Sequence, residues 1–188
     1  MILIVDMNWR KCSLGFYEFV LPIVSIVEEL DAVSVKHYVE LKQEHVDKCD
    51  CVILSGTPLK DHATLNQNEK FEWTKTCKKP LLGICAGMQT LGLVFGLRLK
   101  KCLGIGMTQV TTLTENPLFS SSFKAYTLHN FSVMPSSDDF EVLAESAQCI
   151  QAIRHRQRNV YGVLFHPEVR NKEIIQRFIN AFGDDRRV

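Results

Sequence analysis

The sequence predicts one α/β domain, a mostly parallel central sheet flanked by helices with antiparallel strands added to it. Three observations predict this. Up to residue 95, short apolar runs alternate with amphipathic stretches, the β-α-β-α order of a parallel sheet with right-handed crossovers. The apolar runs are contiguous or nearly so, as in strands covered on both faces. From Gly106 onward, strand-like segments follow one another across short turns such as Glu115-Asn116-Pro117 and Met134-Pro135-Ser136, which suits antiparallel pairing.

The strands expected in the first half are Met1–Val5, Ala32–Tyr38, Asp50–Ser55 and Pro80–Ile84. The helices between them are expected at Phe16–Leu30, Gln43–Lys48, Asn66–Cys77 and Ala86–Phe95. Pro22 inside the first of these implies a kink or a later helix start, because proline has no N–H to give. The second half offers strands at Gly106–Leu113, Lys124–Val133, Phe140–Ala144, Cys149–His155 and Asn159–Phe165. A closing helix over Lys172–Phe182 carries Ile174, Ile175, Phe178, Ile179 and Phe182 at helical spacing, and a polar, frayed tail is expected at Gly183–Val188. With no repeat and no linker, residues 1–188 read as a single domain.

Composition narrows the class of protein. The 188 residues carry a net charge of +1, with 46% hydrophobic and 23% charged residues, values of a folded globular chain. Such balance argues against a nucleic-acid binder, which carries a basic surplus, and against polybasic membrane attachment. The apolar runs are strand-sized, well short of the ~20 residues of a bilayer helix. Met1–Val5 runs straight into Asp6 without a basic start or cleavage site, so no signal peptide is read. Seven cysteines at irregular spacing then suggest free thiols in a reducing cytoplasm.

Chemistry concentrates in two segments. In Pro80–Gly96, an apolar strand ends at Ile84 and a helical pattern starts within two residues of Cys85, flanked by Gly83 and Gly87. Gly-x-Cys-x-Gly is the nucleophile-elbow pattern with sulfur in place of a serine hydroxyl. Side chains at either glycine would strike neighbouring backbone in so sharp a turn. The helix that follows points its first N–H groups at the sulfur and can receive an oxyanion. The plain alternative is a buried cysteine in an ordinary strand-to-helix turn.

The second segment is Tyr161–Val169, an apolar strand ending in His166-Pro167-Glu168. Residues two apart in extended backbone share a face, and Pro167 biases His166 toward that conformation. Glu168 can therefore orient the His166 ring and stabilise its imidazolium. Alone, the pair reads equally as solvent-exposed strand-end residues. Together with a cysteine elbow it reads as a site, because sites in parallel sheets gather at the carboxyl ends of strands.

Gly-Ile-Cys-Ala-Gly-Met-Gln (83–89) together with Tyr-Gly-Val-Leu-Phe-His-Pro-Glu-Val (161–169) resembles the class I, or triad, glutamine amidotransferases, a flavodoxin-like architecture. Val52–Pro58 sits where that family has its Ser-Gly-Gly-Pro loop. The stretch Phe140–Ser146 through Gln151–His155 is similar to the stand-alone glutaminase subunits of archaeal GMP synthases. The resemblance implies Cys85 as nucleophile, His166 as general acid and base, and Glu168 as the orienting carboxylate. It implies oxyanion donors at the N–H groups of Ala86 and Thr57, and substrate contacts from Gly56, Gln89, His129, Asn130 and Phe131. Thr57 stands where the family has a glycine; its N–H donates equally well provided that φ there need not be positive.

What is implied is hydrolysis of glutamine through a cysteine thioester, with ammonia handed to a separate synthetase. No Gly-x-x-x-x-Gly-Lys-Ser/Thr phosphate loop occurs, so ATP and Mg²⁺ are expected only on that synthetase, and no cofactor or metal in this chain. Other open readings are a γ-glutamyl peptidase, a glutaminase serving another acceptor, and a non-catalytic regulatory protein. Cys49-Asp50-Cys51 has no partner pair at zinc spacing. His37, His45 and His62 read as surface residues, and Arg154–Arg158 as a solvated turn.

Overall fold

A computed structural model describes residues 1–134 and 138–183. One nine-stranded sheet organises them. The strands are β1 (Ile2–Asp6), β2 (Val33–His37), β3 (Cys51–Leu54), β4 (Leu81–Ile84), β5 (Arg98–Thr112), β6 (Phe123–Met134), β7 (Phe140–Glu145), β8 (Ile150–His155) and β9 (Val160–Val163). Their order is β2-β1-β3-β4-β9-β8-β7-β5-β6. Pairing is parallel from β2 to β9 and antiparallel from β9 to β6, so both halves of the expected architecture are present.

The parallel strands are apolar throughout because both faces are covered. Ile2 and Ile4 of β1 pack on one side of the sheet with α1 (Leu21–Glu28) and α5 (Glu173–Phe182). Leu3 and Val5 point the other way, toward Phe71, Leu91 and Val94, the last two on α4 (Ala86–Val94). Alternate side chains of one strand thus serve two cores. Helix α5 follows its apolar pattern, burying Ile174, Ile175, Phe178 and Ile179. Among the described residues no helix is long and apolar enough to cross a membrane.

Three elements differ from expectation. The first helix starts late: Phe16–Val20 forms a π-turn and α1 begins at Leu21, with Pro22 in its first turn, where the missing N–H costs nothing. The helix expected over Asn66–Cys77 is split into α3 (Ala63–Asn66) and a 3-10 segment, Asn68–Lys75. Its buried residues, Phe71, Thr74 and Cys77, recur every three positions, the period of a 3-10 helix rather than an α-helix. Strand β5 begins at Arg98, eight residues before the expected Gly106. Its first half is mostly exposed and pairs with β6 as a ribbon, so no buried face marks it in the sequence.

The short helix α2 (Gln43–Asp47) matches its expectation, and Gly183 caps α5 through its N–H to Ile179 O. The expected turn at Pro135-Ser136 and the expected tail from residue 184 lie outside the described residues. The Arg154–Arg158 run is not a solvated turn throughout. Arg158 donates to the carbonyls of Lys75 (2.7 Å), Thr74 (2.9 Å) and Cys77, clamping the end of the 3-10 segment to the β8–β9 turn, and Arg154 pairs with Glu141 at 2.7 Å.

Candidate active site

Register places the two chemical segments side by side. In the β4–β9 pair, Ile84 stands opposite Val163, so Cys85 leaves one strand as the path to His166 leaves its neighbour. The Cys85 N–H donates to Val163 O at 2.8 Å, tying the elbow to that strand.

Cys85 is held at φ 49°, ψ −102°, immediately before α4, a conformation that L-residues rarely adopt. Both flanking glycines are sterically required. A Cβ on Gly83 would lie 2.6 Å from backbone atoms of Gly87 and Met88, and one on Gly87 would lie 2.5 Å from Leu54 O. The Cys85 thiol donates to Leu128 O at 3.5 Å, and Ala86 opens the helix beneath it.

His166 is fully buried, and its Nδ1 meets Glu168 Oε1 at 2.7 Å with both side chains out of solvent. Burial alone lowers the basicity of this imidazole. The Glu168 carboxylate and then the Cys85 sulfur outweigh burial and hold its pKa well above the ordinary range. Nε2 is buried without a well-aligned hydrogen-bond partner, although the Cys85 sulfur is near enough to act on the ring electrostatically. The rings of Phe19 and Tyr126 flank the imidazole at 5.4 and 6.5 Å, and His166 N–H donates to Tyr126 O at 2.8 Å.

The cleft beside Cys85 is lined by Thr57, Ala86 and Gln89 from one side and by Leu128–Phe131 from the other. Thr57 is buried and φ at this residue is not positive, so its replacement of glycine strains nothing. Its hydroxyl donates to Asp61 O at 3.1 Å, folding the 57–62 loop on itself. Gln89 is buried, with Nε2 donating to Phe131 O at 2.8 Å, and Asn130 Nδ2 donates to Leu59 O at 2.7 Å. The His129 ring is committed elsewhere: Nδ1 meets Cys102 O at 2.8 Å and the ring fills the space over Gly104. At His129 the backbone is therefore the part available to the cleft.

Gly56, expected among the substrate contacts, lies against the imidazole. A Cβ there would come within 2.7 Å of His166 Cε1. Gly56→Ala is expected to displace the ring, measured as a shift of the His166 imidazole resonances in NMR spectra.

Two residues read as surface positions are not. His37 is buried, with Nε2 at 2.7 Å from Asn8 O. His62 lines the cleft, its ring edge-on to Phe131 at 5.3 Å. Nothing in local sequence marks them, because their burial comes from strands and loops distant in the chain. Leu128 as acceptor of the Cys85 thiol was likewise invisible, since any residue supplies the same carbonyl.

An elbow cysteine beside a buried imidazole, at the carboxyl ends of parallel strands, defines a cysteine-dependent α/β enzyme. Residues 17–185 match the model of the glutamine amidotransferase class-I family. The chain is 33% identical over 148 residues to a glutamine-hydrolyzing GMP synthase subunit of Saccharolobus solfataricus, covering 74% of this chain and 79% of that one. It is 32% identical over 142 residues to the protein of the same name from Methanocaldococcus jannaschii, covering 70% and 73%. In solved structures, a candidate GMP synthase subunit from Thermoplasma acidophilum superposes with a TM-score of 0.83 at 24% identity, over 96% of this chain and 92% of that one. A glutamine amidotransferase from Thermotoga maritima superposes with a TM-score of 0.70 at 18% identity, over 96% and 81%. The chain belongs to the class I glutamine amidotransferase family, and its fold is the catalytic domain of cysteine-based glutamine hydrolysis.

Proposed function

We propose that residues 1–188 form one glutaminase domain in which Cys85, His166 and Glu168 act as a triad. The Cys85 sulfur attacks the side-chain amide carbon of glutamine, and the N–H groups of Ala86 and Thr57 receive the oxyanion. His166 protonates the departing nitrogen as the C–N bond breaks, so ammonia leaves and a γ-glutamyl thioester remains. His166 then takes a proton from water, the hydroxide displaces the thioester sulfur, and glutamate leaves. Gln89, Asn130 and the backbone of His129 and Phe131 hold the substrate. The observation that carries this reading is the buried 2.7 Å His166–Glu168 pair beside an elbow cysteine.

The ammonia passes to a separate ATP- and Mg²⁺-dependent synthetase. Likeness to the glutamine-hydrolyzing subunits of GMP synthases favours the synthetase that aminates xanthosine monophosphate. Mixing the chain with such a synthetase plus nucleotide is expected to stimulate glutamine hydrolysis at least tenfold and to give glutamine-dependent GMP formation. Stimulation by an unrelated synthetase alone rejects that acceptor. Faster turnover of γ-glutamyl dipeptides than of free glutamine rejects the amidotransferase reading in favour of a peptidase.

A further inference from the structure

His62 has no part in the triad or in the oxyanion site, yet it stands in the cleft. Its ring belongs to the wall formed by the 57–62 loop and meets Phe131 of the opposite wall edge-on at 5.3 Å. Its Nε2 is buried and makes no hydrogen bond, the one such side-chain atom among the described residues that line this cleft. Leaving a buried polar nitrogen unpaired is costly, and at a cleft it marks the place where a ligand brings the missing partner.

The backbone that carries this ring is fixed on both sides. Asp61, the residue before it, accepts from Trp9 N–H at 2.7 Å through one carboxylate oxygen and from Ala63 N–H at 3.0 Å through the other. After it, Asn66 N–H donates to His62 O at 3.1 Å and opens α3. Helix α3 is pinned to α4 where the Thr90 hydroxyl donates to Thr64 Oγ1 at 3.2 Å, with both residues buried. Because α4 starts directly after Cys85, the frame that holds the sulfur also holds His62.

The donors of the cleft decide which part of glutamine this nitrogen meets. An α-carboxylate only accepts hydrogen bonds, and an α-ammonium only donates them. Acceptors stand on both walls, Asp61 on one and the Leu128 carbonyl on the other. Side-chain donors are scarce. Gln89 and Asn130 already donate to Phe131 O and Leu59 O, and His129 turns its Nδ1 to Cys102 O. The N–H groups of Ala86 and Thr57 serve the amide oxygen at the other end of the substrate. His62, as its Nε2–H tautomer, is the side chain left to meet a carboxylate.

We propose that His62 is a specificity-determining residue, donating from Nε2 to the α-carboxylate of glutamine as the substrate takes the place of Phe131 against the ring. This recognition deepens the glutaminase reading and rests on it. It selects the free amino acid. Glutamine residues inside polypeptides, whose carboxylate is tied up in a peptide bond, are refused.

Two readouts test this, ammonia release and protection of Cys85 from iodoacetamide. Glutamine is compared with glutaramate, which lacks only the α-ammonium, and with γ-aminobutyramide, which lacks only the α-carboxylate. His62→Leu keeps bulk without a donor, and His62→Gln restores an N–H near the Nε2 position. In His62→Leu, KM for glutamine and glutaramate, and the concentration of each that half-protects Cys85, are expected to rise about tenfold or more, with kcat little changed. Half-protection by γ-aminobutyramide is expected to stay within about twofold of wild type, and His62→Gln to recover most of the affinity for glutamine. An unmoved glutamine KM in His62→Leu, an equal loss with γ-aminobutyramide, or His62→Gln as weak as His62→Leu overturns the assignment. So does a changed alkylation rate of unliganded Cys85, which gives His62 a structural role instead. Protection of Cys85 that depends on His62, in a protein that releases no ammonia from glutamine, rejects the glutaminase reading and leaves the carboxylate recognition standing.

Discussion

Cys85→Ala is expected to leave glutamine hydrolysis at least 10⁴-fold below wild type while the fold persists, because no other cysteine lines the cleft to form the thioester. A companion substitution separates chemistry from stability. Cys85 occupies φ 49°, ψ −102°, where a side chain carries a strain of about 1–3 kcal/mol that glycine does not. Cys85→Gly is therefore expected to be as inactive as Cys85→Ala but more stable than it, by about 1 kcal/mol after the entropy of the added glycine is subtracted. Urea midpoints together with ammonia release check both. Residual turnover in either variant above a thousandth of wild type would remove Cys85 from the mechanism.

Glu168→Gln is expected to reduce kcat about 10³–10⁴-fold with KM for glutamine nearly unchanged, since the carboxylate touches the imidazole and not the cleft. The pH profile carries a second signature. The Glu168 charge is the largest single influence that raises the His166 pKa against burial, so its neutralisation is expected to move the alkaline limb of kcat to lower pH. Stability follows the same sign. A raised folded pKa means that protonated His166 contributes stability fully below the ordinary imidazole value of about 6.5, and that the contribution disappears as pH rises through the folded value. Wild type is thus expected to exceed Glu168→Gln in stability most at mildly acidic pH, and the gap is expected to narrow as the solution is made alkaline. A gap that widens instead would place the proton elsewhere.

Legibility in the sequence followed how local each determinant is. The parallel half was readable because Ile2–Val5, Cys51–Leu54 and Leu81–Ile84 carry their burial as unbroken apolar runs. The elbow was readable because Gly83 and Gly87 are needed by contacts within five residues of one another or with the adjacent strand. His166 and Glu168 were readable as a pair from their two-residue spacing, but not as extended backbone. The strand ends at Val163, and residues 167–169 form a turn in which Val169 N–H donates to His166 O at 3.2 Å. The first half of β5 was not, since Arg98–Lys101 gains its strand from pairing with β6 rather than from a buried face. The roles of Gly56, His62 and Arg158 were not either: each is defined by a partner more than sixty residues away, His166 for the first, Phe131 for the second and Thr74, Lys75 and Cys77 for the third.

The cleft beside Cys85 is narrow, with a volume of about 10 Å³, room for about one water molecule and far less than a free amino acid needs. Asn130 bonded to Leu59 and His62 seated on Phe131 keep the two walls together. On the proposed reading, glutamine reaches Cys85 only as those walls move apart, so access to the sulfur depends on how readily Asn130 separates from Leu59. A hydrogen bond of that kind is worth about 0.5–1.5 kcal/mol, so whatever surface grips the 57–62 loop needs to supply only that much to change the traffic.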